Sequence, residues 1–268
     1  MPSFAVHTIC GDKLLKELSV SEEDRIKFLI GNILPDTKTI DIPDDIDEVS
    51  RRSKIQSMKM KTHFRTDKNA ILQYPDLEYF LSKYEEQVKN DINALAYFFH
   101  LYTDTYYFTR FLPSFVTFLD KDGNKATIRK DIENVHIKKT DEYMTDASFW
   151  SKYNERGIYQ EYSRSNKFLL ERYPFSFDIE RLKEYLIDHP YKVNIEEINP
   201  DKALEGVEQL EMVIINSMSN TNNNLYIFTN EEMAELVEKV VSSFIKEYGY
   251  LLQSYQKPLT NRIKLYTI

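Results

Sequence analysis

The chain has 268 residues, with 35 Lys plus Arg against 43 Asp plus Glu and a formal net charge of −8, which disfavours long nucleic acid and anionic membranes as partners. Hydrophobic residues make up 42%, enough for a core and too many for a disordered chain, while 6 glycines and no GxGxxG or GxxxxGK[ST] argue against a nucleotide cradle. A single cysteine, Cys10, excludes an intramolecular disulfide and a thiolate zinc knuckle; with no signal-like start and no long apolar run, a cytoplasmic location and no transmembrane segment are expected.

In chain order, Ser21 with Asp24 reads as a cap, and Ile26, Leu29, Ile30 and Ile33 recur at helical spacing, predicting a helix over 21 to 34 that stops at Pro35. Residues 37 to 62 are polar and without sustained period, so they are expected to form a loop or lid, or an insertion with a short helix. Pro75, Leu77, Phe80, Leu81 and Tyr84 predict a helix to about Gln87, and a second from about Asn90 to Tyr107.

After Pro113, SFVTFL, Asp122-Gly123 and KATI read as a small β-hairpin near 115 to 128. Asp120, Asp122 and Asn124 resemble the start of a calcium loop, but Lys125 stands where that loop needs Gly, so the plain hairpin is preferred. Helical spacing returns over 144 to 156, 163 to 172, 178 to 188 and 200 to 217. Thr229 and Glu232 form a capping box ahead of Met233, Leu236, Val237, Val240, Val241 and Phe244. The expected fold is all-α, a single-domain multi-helix bundle around one buried helix.

That buried helix carries the chemistry. From Ala94 to Tyr102 only His100 is neither apolar nor aromatic, and Asn93, His100 and Asp104 fall on one stripe with Tyr97 nearby. An imidazole and a carboxylate buried there must pair or bind a cation, because each alone would cost several kcal/mol. A satisfied His-Asp pair is the bland reading of HxxxD taken alone. Along the rest of the chain, however, His7, Asp36 in GNILPD and His63 in HF complete a series of three imidazoles and two carboxylates. Without thiolates, this set suits zinc, manganese or iron. His136 and His189 lie outside the series and read as structural or exposed.

The series resembles the zinc-dependent phospholipase C and single-strand-specific zinc nuclease superfamily, helical phosphodiesterases holding up to three zinc ions. The resemblance covers residues 1 to 110. It rests on His7 near the N-terminus, Asp36 in GNILPD, His63 in HF, and His100 and Asp104 in AYFFHLYTD, which is similar to the family's HxxxD helix. It implies that His7, Asp36, His63, His100 and Asp104 are metal ligands and that Asp104 bridges two ions. It also implies a terminal-amine ligand, which removal of Met1 would place at Pro2. The third-zinc ligands are not matched: Arg110 stands where a further His is expected, and His136 and His189 are followed four residues on by Thr140 and Val193.

The expected function is a metal-dependent, binuclear hydrolase of phosphoester bonds, phospholipase C-like, with one or two zinc ions, manganese or iron being compatible. A metal pair would polarise a phosphoryl oxygen and activate water. Asp36 is a candidate catalytic residue for orienting that water, and Arg110 for binding phosphate in place of the third metal. Arg51 and Arg52 would serve likewise if the polar loop covered the site. Substrates would be phosphoester small molecules or lipid head groups, with homo-oligomerisation left open. The alternative is a non-catalytic, metal-stabilised helical protein acting as a protein-binding module, to which the Tyr content is suited. An HD-type phosphohydrolase would need an adjacent His-Asp pair, and none occurs.

Overall fold

An apolar helix with no solvent-facing side must be wrapped by others, and the computed structural model, which describes residues 2–37, 47–222 and 224–255, has this arrangement. Helix α5 (Ile92–Tyr106) is buried from end to end apart from Asn93 and Thr105, which are half-buried. Its first turn is capped by Asp91, whose side chain accepts from the Asn93 N–H. Against it pack α2 (Glu22–Ile33), capped by Ser21, and α4 (Leu77–Asn90), capped by Asp76. Rings of α4, α5 and α11 (Asn230–Tyr248) interlock, Phe99 meeting Phe244 with centroids 4.8 Å apart and Phe80 stacking on Phe98 at 5.6 Å. Each such ring contributes about 1.5–3 kcal/mol by leaving water.

Helix α1 (Phe4–Glu17), a segment without a readable amphipathic period, is capped by Ser3 and packs against α2, α8 (Ile158–Arg172) and α11. The polar stretch 37 to 62 contains α3 (Glu48–Thr62), fifteen residues long and capped by Asp47, so most of the expected loop is helix. The remainder of that stretch, 38 to 46, lies outside the described residues. Arg51 and Arg52 fall within α3, and their side chains also lie outside the description. Helix α9 (Ile179–Asp188) and α10 (Ala203–Ser219) follow the expected spacing, and α11 opens with both halves of the Thr229–Glu232 capping box. Over 144 to 156 the helix is only one turn, α7 (Asp146–Phe149), because Ser151 to Gly157 fold into turns pinned by Asn154.

The β structure is small, as expected, but its pairing differs. Strand β1 (Val116–Leu119) pairs antiparallel with β2 (Asn134–Ile137), which pairs with β3 (Glu142–Thr145). Residues after the Asp122-Gly123 turn contribute only an isolated bridge from Lys125 to Leu119. The alternating acidic pattern closes this turn: Asp120 Oδ1 accepts the N–H groups of Asp122 and Asn124, both at 2.9 Å, and Gly123 takes φ +79°. One contiguous hydrophobic core joins the sheet to the helices. Among the described residues, no helix is long and apolar enough to cross a membrane.

Candidate metal centre

Four segments distant in sequence bring His7, Asp36, His63, His100 and Asp104 into one buried cluster. Helix α5 presents His100 and Asp104 one turn apart, both with 0% exposure. Pro35 cannot extend α2, so the chain tightens into a single 3-10 turn, Leu34–Asp36, which delivers Asp36. Helix α3 ends at His63 in a Schellman-like arrangement, with the Arg65 N–H bonded to the Met60 carbonyl at 3.0 Å and Phe64 in the left-handed region at φ 50°. Aromatic packing of Phe64 on Phe80, centroids 4.8 Å apart, holds that unfavoured conformation. The turn reverses the chain so that His63 and Arg65 both reach α5.

The hydrogen bonds around the cluster fix which atoms face its centre. His100 Nδ1 lies 2.8 Å from the Asn32 carbonyl, which can only accept, so Nδ1 carries the proton and Nε2 a lone pair. Thr62 Oγ1 donates to the Pro35 carbonyl at 3.2 Å and therefore accepts from His63 Nδ1 at 2.9 Å, which leaves His63 Nε2 as a lone pair too. The two Nε2 atoms stand 3.4 Å apart. Burial lowers the pKa of both rings, that of His100 to about 3, so neither gains a proton near neutrality. Two facing lone pairs in a dry interior repel unless a cation lies between them.

Asp104 completes the arrangement. It presents Oδ1 to His7 Nε2 at 3.4 Å and Oδ2 to His63 Nε2 at 3.6 Å, one oxygen to each imidazole. Burial pushes its carboxyl pKa up, but the neighbouring imidazoles, His7 first, more than offset this and hold it below the usual carboxylate range. Neither oxygen has a hydrogen-bond partner, nor does either ring nitrogen of His7, which stacks on His100 with centroids 3.8 Å apart. Asp36 Oδ1 lies 3.4 Å from His63 Nε2 and 3.3 Å from Lys59 Nζ. Burial opposes its ionisation, yet Lys59 and the imidazoles keep it low.

Two overlapping triplets, His7 with Asp36 and His100, and His63 with His100 and Asp104, each place their ligand atoms within 4.8 Å of one another. Orphaned buried acceptors, imidazole lone pairs and two ionised carboxylates form a donor set that fits one or two divalent ions. His100 belongs to both triplets, and His7 groups with Asp36 as well as with His100. Met1 lies outside the described residues, so the terminal-amine expectation does too; Pro2 lines the adjoining cavity.

That cavity, about 550 Å³, is lined by Asp36, Lys59 and Arg65 and by the aromatic side chains of Phe108, Trp150 and Tyr159. Asp36 is the one member of the five that lines it, so the cluster meets the cavity through that carboxylate. Lys59 and Arg65 were missed from sequence; their only signal is a basic flank, one turn before and two residues after His63. Arg65 has its Nη2 3.9 Å from Asp104 Oδ2, while Nε and Nη2 lack hydrogen-bond partners.

Arg110 lies apart from the cluster. Six residues beyond Asp104 turn it away from the ligand face, and a π-helical turn over Tyr107–Phe111 follows α5. Its guanidinium forms a bidentate pair with Glu247 at 2.5 and 3.0 Å on the outer surface, outside the cavity by the cluster. Asn93 also leaves the ligand stripe, donating to Asp91 Oδ1 at 2.8 Å, while the Tyr97 hydroxyl donates to the Thr62 carbonyl and braces the end of α3. His136 pairs with Asp141 at 2.8 Å and His189 stacks on Tyr185, both away from the cluster. Set against known protein families, curated proteins and solved structures, the chain matches none of them.

Proposed function

We propose that this protein is a metal-dependent hydrolase of phosphoester bonds, with zinc held by His7, Asp36, His63, His100 and Asp104. The observation that carries the reading is the pair of unprotonated Nε2 atoms of His63 and His100, 3.4 Å apart and flanked by a carboxylate without hydrogen-bond donors. When bound, such ions act as Lewis acids on a phosphoryl oxygen and lower the pKa of water. Asp104, with one oxygen toward each of two imidazoles, would hold metal together with them. Asp36, at the boundary of cluster and cavity, would orient an attacking water by accepting its proton. The buried, unpaired Cys10 suits a reducing cytoplasmic setting.

Metal content per chain and hydrolysis of bis(4-nitrophenyl) phosphate, measured on the wild type and Asp104→Asn, test this. The wild type should hold about two zinc ions and turn over the ester. Asp104→Asn should lose metal and activity together, and unchanged stoichiometry in that variant would refute the ligand assignment.

A second reading, a metal-stabilised protein-binding module, is favoured by apolar side chains left outside α9 and α10, with Ile187 72%, Met212 54% and Ile215 53% exposed. Full metal content without turnover of any phosphoester offered would select it.

A further inference from the structure

The cavity beside the cluster contains a cation that the metal reading does not use. Arg65 is held at the rim by the turn that ends α3, with its side chain 11% exposed. Among the described residues its Nε and Nη2 have no hydrogen-bond acceptor: the Asp104 carboxylate is 3.9 Å away, too far to satisfy them, and Asp36 acts on the guanidinium only through its charge. A buried guanidinium with unspent donors costs free energy unless an anion completes it. Asp104 is already shared between His7 and His63. Lys59, by contrast, is engaged with Asp36 at 3.3 Å, and Arg129 is spent on a bidentate pair with Asp146 at 3.0 and 2.8 Å.

The same cavity offers flat apolar surface. Trp150 is fixed by its indole N–H donating to Asp146 at 3.0 Å, and by Phe118, whose ring is parallel to it within 4°. Phe108 and Tyr159 line the same cavity. We propose that Arg65 is the anion anchor of this cavity, taking the phosphate of a small aromatic phosphate ester whose ring lies against Phe108, Trp150 and Tyr159. Guanidinium geometry matches two oxygens of a phosphate, which a lone ammonium would not. The volume of about 550 Å³ suits a small molecule of this kind. The inference rests on reading the cluster as a phosphoester site.

Phenylphosphonate and methylphosphonate, which carry the charged group but no hydrolysable ester, are the probes, with calorimetric affinity measured on zinc-loaded protein. The wild type should bind the phenyl compound more tightly than the methyl one by at least tenfold. Arg65→Gln should weaken both by at least tenfold with zinc content unchanged, and Arg65→Lys should recover only part of the loss. Trp150→Leu should remove most of the preference for the phenyl compound while leaving methylphosphonate affinity in place. Arg110→Gln, on the far surface, should match the wild type. Wild-type affinity in Arg65→Gln would overturn the anchor, and equal affinity for the two phosphonates in the wild type would overturn the aromatic wall. Zinc content is read on the same samples: protein without zinc that still binds phenylphosphonate through Arg65 would sink the metal reading while upholding the anchor.

Discussion

At the scale of single residues, the cluster makes stability depend on pH in a direction that can be worked out. His63 and His100 have their pKa values lowered by burial, His100 to about 3, so they stay neutral in the folded chain where the unfolded chain would protonate them below about 6.5. Their contribution is complete above about 6.5 and lost as the pH falls toward the folded values. The loss approaches about 1.4 kcal/mol per unit of pH for each ring. Asp36 and Asp104, held low in the fold, lose stabilisation in the same direction, but only below about 4. Chelator-treated protein should therefore show a urea midpoint that drops between pH 7 and 5.5, by the equivalent of about 1 kcal/mol from His100 and further in the same direction from His63, and His100→Gln should flatten the slope. A midpoint independent of pH would mean that the rings are already hydrated or charged. Cys10 behaves differently, since burial pushes its thiol pKa far up and it lies within the core of α1. Its reaction with a thiol reagent should track global unfolding in denaturant, and rapid labelling of native protein would contradict this placement.

At the scale of elements, the spacing between α2 and α5 sets the cluster. A β-carbon on Gly31 would stand 2.9 Å from Ala96 Cβ and 3.1 Å from the Asn93 carbonyl, and would also collide with the Tyr191 hydroxyl. Alanine favours a helix interior by up to about 1 kcal/mol over glycine, but overpacking of this kind costs about 1–3 kcal/mol, so the clash wins. Gly31→Ala should lower the urea midpoint and the zinc affinity together, because pushing α2 away lengthens the Asn32 to His100 hydrogen bond. Gly249→Ala, where the added carbon meets nothing within 4 Å, should be neutral or stabilising. The HxxxD pair and Asp36 were readable because each interrupts or closes an otherwise apolar or periodic run, whereas His63, following an aperiodic polar stretch, stood out only as a member of the His and Asp series. Helix α1 was not readable, since Ala5 to Asp12 are buried on every side and leave no amphipathic period to detect. Arg65 was invisible for another reason: what matters is its missing partner, and only the folded turn around Phe64 shows that.

At the scale of the whole molecule, the five clustered residues come from α1, the 3-10 turn after α2, the end of α3 and α5, segments otherwise joined mainly through the apolar core. Any ion that binds the folded cluster and not the unfolded chain stabilises the fold by mass action, by about 2.7 kcal/mol at a hundredfold excess over Kd. That gain is uniform only for amides exposed by global unfolding. Where an element opens locally, its protection rises only if the ion has to leave first. The last turn of α3 is such a place: it is secured by Thr62 and His63 at one end and by the Tyr97 hydroxyl, with Lys59 reaching to Asp36. Hydrogen exchange with and without zinc should therefore show its largest slowing at residues 59 to 65, with smaller slowing along α1 and α5. The β1 to β3 sheet contributes no ligand, so any local opening there should keep its rate. Asp104→Asn should abolish the pattern without unfolding the sheet. Equal slowing everywhere would mean that the ion acts only through global stability, and no slowing near His63 would remove that residue from the centre.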